Sequence, residues 1–256
     1  MTKQKSNFLY DSKVMFKRCM RIALKNPEAL VQATITPIFL MLMFGAVFEN
    51  IVDLGAYSYV DFIVPGIILQ AVTQATQYTA INVNNDMTKG IIDRYRSMPI
   101  AQSAVLFGHT AASVVRNVMT TAVIIGTAFI VGFRPSAGFV DWLVIACILL
   151  LIVTAISCIA LLCGLLSKTP EGAGGYMFPL FILPFISSGF APTETMHVAI
   201  RWFAQNQPMT PIINNLRSLM LNSMMGNDLW IALAWSTGII FAAFFAAVHV
   251  YKRKLS

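Results

Sequence analysis

The side chains that most often carry out chemistry in enzymes are few in this sequence, and they are scattered. His109, His197 and His249 lie on separate segments without the spacing of metal ligands, and the four cysteines include no CxxC pair. The run 167–169 is similar to the end of a phosphate-binding loop, but no glycine immediately precedes its lysine. No HExxH, GxSxG or EF-hand pattern occurs either. The sequence therefore predicts neither a catalytic centre nor a metal site.

A row of polar side chains runs along one otherwise apolar segment. Its members, spaced three or four residues apart or directly adjacent, are Gln70, Thr73, Gln74 and Gln77. Polar groups that face lipid are costly, so this stripe should face protein or a cavity. Two interpretations stay open: hydrogen bonds between helices or subunits, or the lining of a translocation path.

Cations and apolar residues alternate in the loop of residues 84–100. The cations are Lys89, Arg94 and Arg96, and the apolar members are Ile91, Ile92, Tyr95 and Met98. Their spacing predicts a short amphipathic helix that ends near Pro99. Such a helix suits docking into the groove of a partner protein, with apolar anchors and a charged rim. The alternative is a helix that rests on the inner leaflet of a membrane.

The composition indicates the environment in which these residues lie. Of 256 residues, 57% are hydrophobic and only 11% are charged, and the mean hydropathy is +0.70. A soluble domain carries roughly 25% charged residues, so this chain has too little polar surface to cover a water-soluble globule. A cytosolic enzyme, a secreted disulfide scaffold, a disordered tail and a nucleic-acid-binding domain are excluded. The sequence predicts an integral membrane protein.

Six segments are long and apolar enough for a helix of about 20 residues to cross a bilayer. They are residues 29–48, 62–83, 113–133, 142–166, 174–190 and 229–251. Pro179 and Pro184 interrupt the fifth segment, so we expect it to bend or to end early. Residues 191–228 are too polar to cross, but the apolar patches 200–204 and 216–221 predict short helices at the membrane interface.

The charges predict the orientation. With both termini in the cytoplasm, fifteen of the 18 Lys and Arg residues lie inside, and only Arg134, Arg201 and Arg217 lie outside. The pI near 9.4 is thus explained by topology. The charged residues Asp61, Arg116 and Asp141 lie near segment ends, so we expect no charge in the middle of a span. An ion-coupled pump is accordingly disfavoured, because it needs buried ionisable groups.

The N-terminal segment predicts a helix that lies flat on the inner membrane surface. Its cations recur every fourth residue, and they are Lys13, Lys17, Arg21 and Lys25. The opposite face is largely apolar, and it carries Met15, Phe16, Cys19, Met20, Ile22 and Ala23. Asn26 and Pro27 should end this helix and turn the chain into the membrane.

The order of these features resembles the membrane subunit of a type II ABC exporter, in the daunorubicin-resistance-permease-like branch. The matching motifs are KNPEAL at 25–30, FIVPGI at 62–67, KGIIDRYRSMPI at 89–100, SGFAP at 188–192 and NQPMTP at 206–211. The resemblance covers essentially the whole chain. It implies a single all-α transmembrane domain over 1–256, with an amphipathic connecting helix (1–27), spans one to five (29–190), extracellular re-entrant helices (191–228) and span six (229–251).

The resemblance also implies partners and roles. Two permease subunits, usually identical, would each engage a separate ATP-binding subunit, which binds ATP and Mg, so that this chain needs no cofactor. The coupling helix would consist of Lys89, Gly90, Ile91, Ile92, Asp93, Arg94, Tyr95 and Arg96. The expected function is ATP-driven export of an amphipathic compound (drug, antibiotic or lipid) across the plasma membrane. The alternatives are an ATP-independent carrier and a membrane-bound enzyme.

Overall fold

The computed structural model of the protein describes residues 8–49, 51, 57–91, 102–222 and 227–255. Within these ranges the regular elements are all helices, which confirms the predicted all-α class. They are α1 (Phe8–Lys25), α2 (Pro27–Phe48), α3 (Tyr59–Thr88), α4 (Gln102–Val131), α5 (Phe139–Leu166), α6 (Pro170–Tyr176), α7 (Phe178–Ile182), a 3₁₀-helix (Thr193–Thr195), α8 (Val198–Asn206), α9 (Met209–Met220) and α10 (Asp228–Leu255).

Four helices in the described part of the chain are long and apolar enough to cross a bilayer. They contain the candidate spans Val31–Phe48, Ser103–Val131, Phe139–Leu166 and Asp228–Lys254. These four correspond to the first, third, fourth and sixth segments predicted from the sequence, and the protein is therefore a multi-pass membrane protein. Of the other two predicted segments, 62–83 lies in a long helix that is less apolar than these four, and 174–190 does not form one long helix. Their crossing of the membrane stays a prediction.

Helix α3 is the central helix of the fold. It packs against α2, α4 and α5, and most of its residues are buried. Ser58 and Asp61 form a capping box at its start, where the Ser58 hydroxyl accepts from the Asp61 N–H at 3.1 Å. With 30 residues it is about 45 Å long. Its ten glutamine, threonine and asparagine side chains lower its hydropathy, and half of them are buried.

The region predicted as the fifth span does not form one continuous helix. Two short helices, α6 and α7, are followed by turns up to Phe190, as expected from Pro179 and Pro184. The turn packs directly on α3, because a Cβ added to Gly66 would lie 2.7 Å from the carbonyl oxygen of Gly189. This contact leaves no room for a side chain at position 66.

The short helices predicted after this region are present as α8 and α9. Helix α9 packs on α3, α5 and α10 and buries Ile213 and Leu216. Arg217 on α9 donates to the carbonyl oxygens of Phe62 at 3.0 Å and of Ser188 at 2.6 Å. One guanidinium thus joins α9, the start of α3 and the turn before Phe190.

Candidate coupling site

The first residues of the predicted coupling segment lie at the end of α3. Lys89 is the C-cap, and its N–H donates to the Asn85 carbonyl at 3.0 Å. Gly90 follows with a φ of +66°, a conformation that favours glycine and commonly ends helices. Lys89 is exposed, and Ile91 is partly buried. The positive φ is a sufficient reason for a glycine at position 90.

The remaining predicted coupling residues lie outside the described part of the chain. They are Ile92, Asp93, Arg94, Tyr95 and Arg96. Their amphipathic helix and their contact with a partner therefore stay predictions.

A buried cluster of charged side chains lies one turn before the end of α3. Asp86 accepts two hydrogen bonds from Arg18 on α1, from Nη1 at 2.5 Å and from Nη2 at 2.7 Å. The same carboxylate lies 3.1 Å from Nε2 of His109 on α4. Bidentate pairing of this kind is strong and fixes the mutual orientation of both groups. Asp86 thus connects α1, α3 and α4.

The histidine in this cluster also contacts a thiol. Nδ1 of His109 lies 3.6 Å from Sγ of Cys19 on α1. A proton on Nε2 of His109 donates to Asp86, and Nδ1 of the same ring faces the thiol of Cys19. Burial raises the pKa of the Asp86 carboxyl, but the hydrogen bonds and charges of Arg18 and His109 outweigh burial and lower this pKa to about 2. Asp86 is therefore ionised at neutral pH.

Sequence reasoning missed this cluster. Arg18 is 68 residues from Asp86, and His109 is 23 residues from it, so no local spacing connects them. The available signal was an acidic residue immediately beyond an apolar segment, which needs a partner if it is buried.

The cations predicted to face the membrane surface are on the exposed face of α1. These are Lys13, Lys17, Arg21 and Lys25. On the other side, Met15, Cys19 and Ala23 are buried, and α1 packs closely on α4: a Cβ on Gly108 would lie 2.5 Å from the Cβ of Met15. Part of the apolar face therefore meets protein rather than lipid, and contact of the cations with lipid stays a prediction.

The expectation that Arg116 lies near the end of a span is wrong. Helix α4 begins at Gln102 rather than near residue 113, because the apolar sequence from Ala104 to Leu106 continues the helix, and Arg116 falls at its middle. It is only 5% exposed. Its Nη2 donates to the Thr79 hydroxyl at 2.5 Å and to the Ala75 carbonyl at 3.3 Å. An intramembrane cation of this kind marks a functional position more often than a structural one.

A cavity separates Arg116 from the Asp86 cluster. The side chains that line it include Cys19, Thr79, Asn82, Asp86, His109 and Arg116. Its volume of about 20 Å³ is enough for one water molecule. This cavity is too small to hold cargo in the conformation described.

The polar stripe on α3 divides between three environments. Gln74 donates to the Gln32 carbonyl of α2 at 3.4 Å, and Gln77 donates to the Gly174 carbonyl of α6 at 3.1 Å. Gln70 is fully buried and donates to Gln74, whereas Thr73 bonds within α3. The contacts of Gln74 and Gln77 favour the interpretation as hydrogen bonds between helices. A role in a translocation path or a dimer contact stays a prediction.

Comparison with known proteins identifies the family. Residues 10–221 match the model of the ABC-2 type transporter family. The chain is 30% identical over 231 residues to the daunorubicin resistance ABC transporter permease protein DrrB1 of Streptomyces coeruleorubidus, covering 89% of this chain and 81% of that protein. It is 25% identical over 215 residues to the probable doxorubicin resistance ABC transporter permease protein DrrC of Mycobacterium tuberculosis, with 82% and 76% covered.

A third relative is the inner membrane transport permease YadH of Escherichia coli, 26% identical over 163 residues, which are 60% of each chain. The family match includes most of α1, the whole of α3 and the segment that follows it. The resemblance found in the sequence is therefore confirmed. The chain belongs to the ABC-2 type transporter family and is a permease, a transport component rather than an enzyme.

Proposed function

We propose that this chain is the membrane-spanning subunit of an ATP-driven exporter that moves an amphipathic compound (drug, antibiotic or lipid) out across the plasma membrane. The observation that carries the proposal is the ABC-2 family match over residues 10–221. Two of its relatives are named for resistance to daunorubicin and doxorubicin. These names support a drug-like cargo.

The energy would come from separate ATP-binding subunits. Membership of the ABC-2 family implies such a partner. In the proposed complex, two ATP-binding subunits, each carrying ATP and Mg, dock on the coupling segments (89–96) of two permease subunits, which we take to be identical. Ile91, Ile92 and Tyr95 anchor the segment, while the cations at 89, 94 and 96 set its register.

The proposed topology has six spans and both termini in the cytoplasm. Helix α3 supports this count, since its length of about 45 Å exceeds the roughly 30 Å hydrocarbon core of a bilayer. The segment of α6, α7 and the turns up to Phe190 would be the fifth, broken span. Irregular backbone is tolerated at membrane depth where protein covers it, and this segment packs on α3.

The proposed mechanism is a shift between two arrangements of the permease dimer. ATP binding closes the two ATP-binding subunits, and each coupling segment moves with the groove that holds it. That displacement favours an outward-open over an inward-open arrangement, and hydrolysis reverses it.

Reconstitution tests the proposal. The permease is co-purified with its ATP-binding subunit and placed in inside-out vesicles, and uptake of daunorubicin and a panel of amphipathic compounds is measured with ATP hydrolysis. We expect uptake that requires both subunits and ATP. Uptake by the permease alone would instead identify an ATP-independent carrier, and chemical conversion of the compound would identify an enzyme.

A paired variant tests where the motor docks. The double change Ile91→Asp and Ile92→Asp should abolish co-purification of the ATP-binding subunit and abolish export. The matched control is Val198→Asp with Ile200→Asp, which adds the same charges at exposed positions of α8. If the variant with Ile91→Asp and Ile92→Asp retains both full co-purification and full export, the assignment of the docking segment is refuted.

A further inference from the structure

We infer that Arg18, Asp86 and His109 form an ionic clamp that makes α1, the end of α3 and the start of α4 move as one body with the coupling segment. This inference rests on the proposed function in one respect, namely that the ATP-binding subunit transmits its movement to the coupling segment after α3. The clamp itself follows from side-chain geometry. Arg18, Asp86 and His109, which lie outside the coupling segment, are thereby assigned roles as positioning residues.

The clamp lies at the point where force from the segment first enters the helix bundle. Asp86 precedes Lys89 by three residues, which is about 4–5 Å along the helix axis. The chain leaves α3 at Gly90, immediately after this turn. A displacement of the coupling segment therefore reaches Asp86 before it reaches the rest of α3.

Each clamp residue belongs to a different helix, and the bonds are directional. Arg18 on α1 holds both oxygens of Asp86, at 2.5 and 2.7 Å, and His109 on α4 lies 3.1 Å from one of them. A buried ion pair adds little net stability over apolar packing, because desolvation offsets the attraction between the charges. A bidentate pair does fix distance and rotation. Apolar side chains at the same place would let the helices slide.

A second set of polar contacts fixes the opposite side of the same turn. Asn84, which is fully buried, donates through Nδ2 to the carbonyl oxygens of Gly164 at 3.1 Å and Ser167 at 2.8 Å. Both acceptors are at the end of α5. Backbones are close here as well, since a Cβ on Gly164 would lie 2.5 Å from the Ala80 carbonyl oxygen. The Nδ2 group of Asn84 therefore ties this turn of α3 to the end of α5.

The contacts between α1 and α4 explain why a clamp of three helices can act as one body. Met15 on α1 touches Gly108, the residue next to His109, so closely that Gly108 has no space for a side chain. Cys19 on α1 also lies 3.6 Å from His109. Helices α1 and α4 therefore already contact each other, and Asp86 attaches α3 to this pair.

The test measures the distance between α1 and the coupling segment in the complete complex with its ATP-binding subunits, in lipid vesicles. Spin labels are attached at Lys17→Cys and Lys89→Cys, two exposed positions, after the native cysteines are replaced by serine. Labelled permease is diluted with unlabelled permease, so that the distance within one subunit dominates. In this parent we expect a narrow distribution of that distance, which shifts by less than about 2 Å when ATP and Mg are added.

Loss of the clamp should uncouple the two labels. Asp86→Asn and Arg18→Gln should broaden the distribution without nucleotide, and ATP should then shift it by about one helical turn, roughly 5 Å. Arg21→Gln is the matched control, because it removes an equal charge from the exposed face of α1, and it should behave as the parent. Arg18→Lys keeps the positive charge but cannot bond both carboxylate oxygens as a guanidinium does, and it should give a distance distribution of intermediate width.

Two results would overturn the clamp. One is a parent distribution that shifts by a full turn with ATP, since α1 then does not follow the coupling segment. The other is a parent-like distribution in Asp86→Asn and Arg18→Gln. If Asp86→Asn fails to assemble, Arg18→Gln and Arg18→Lys decide by the same criterion. Absence of an ATP-binding subunit from the complex of the unlabelled natural sequence would refute the proposed function, whereas broadening in the nucleotide-free state reports on the clamp alone.

Discussion

Replacing Gly66 by alanine is a stringent test of the packing between α3 and the broken segment before Phe190. The new Cβ would lie 2.7 Å from the carbonyl oxygen, 2.8 Å from the Cα and 2.9 Å from the carbonyl carbon of Gly189. All three are backbone atoms, so no side-chain rotation relieves the clash. Ordinary contact needs about 3.4 Å, and the two segments must therefore separate by about 0.7 Å.

That separation would strain other contacts between the same segments. The Tyr59 hydroxyl donates to the Phe190 carbonyl at 2.7 Å, and Arg217 bridges Phe62 and Ser188. Overpacking of this kind costs about 1–3 kcal/mol, and we take the upper half because backbone atoms are involved. The gain in helix propensity from Gly to Ala offsets about 1 kcal/mol. The net loss is about 1–2 kcal/mol.

The assay is apparent thermal unfolding in detergent, followed by a thiol-reactive dye that labels buried cysteines such as Cys158 as they become exposed. At about 2–4 °C per kcal/mol, Gly66→Ala should lower the apparent Tm by about 2–8 °C. Gly126→Ala is the control, because nothing lies within 4 Å of its added Cβ, and its Tm should stay equal or rise. All samples share one scan rate, because an apparent Tm depends on the scan rate when unfolding is irreversible. Equal Tm values for both variants would refute the reasoning.

Two further predictions use the same thermal assay, and a third uses the vesicles that contain the ATP-binding subunit. Arg217→Ala should lower the apparent Tm more than Arg134→Ala, because Arg217 holds two other segments whereas the Arg134 side chain bonds only carbonyls of its own segment among the contacts described; equal losses would contradict this. The pKa of Asp86 is lowered to about 2 from 3.8, so the charge of Asp86 stabilises the fold above about pH 4, and this stabilisation disappears towards pH 2. Asp86→Asn should therefore make the apparent Tm depend less on pH between pH 4 and pH 2. An unchanged dependence of Tm on pH would contradict the assignment. Asn84→Ala should reduce the amount of compound exported per ATP hydrolysed, because it frees the end of α5 from α3. Asn206→Ala should leave that ratio unchanged, because the amide of Asn206 bonds only to its own helix among the contacts described.

Long apolar segments could be predicted from the sequence because they need no knowledge of the partners that cover them. Helices α2, α5 and α10 follow from length and hydropathy, and the break near Pro179 and Pro184 follows from the missing backbone donors. The short helices α8 and α9 follow from their apolar patches. Each of these predictions depends on neighbours along the chain.

The position of Arg116 could not be predicted in this way, because hydropathy locates an apolar segment but not the first residue of its helix. The sequence from Ala104 onwards extends α4 by eleven residues below residue 113, which moves Arg116 from an end to the middle. The Arg18–Asp86–His109 cluster was equally hidden. It depends on how α1 packs against α3 and α4, and no residue spacing encodes that packing.

The coupling segment is partly predicted and partly open. The structure continues α3 to Thr88, so that residues 84–88, which the sequence analysis placed in the loop, belong to the helix. The first three residues of the segment follow directly, and Gly90 has a positive φ that redirects the chain. The anchor residues 92–96 lie beyond the described range. Their helix and their contact with a motor rest on the spacing of apolar residues and on family membership.

Site-specific cross-linking tests the central claim, that a motor docks directly after α3. Lys89→Cys, in a background without native cysteines, is labelled in whole membranes with a short reagent that has a thiol-reactive group and a photoreactive group, so that any nearby residue of the co-expressed ATP-binding subunit can be captured on illumination. The account predicts a cross-linked product that contains both proteins for Lys89→Cys and none for Val198→Cys, an exposed position on α8. No product from Lys89→Cys, or equal products from both positions, would contradict it.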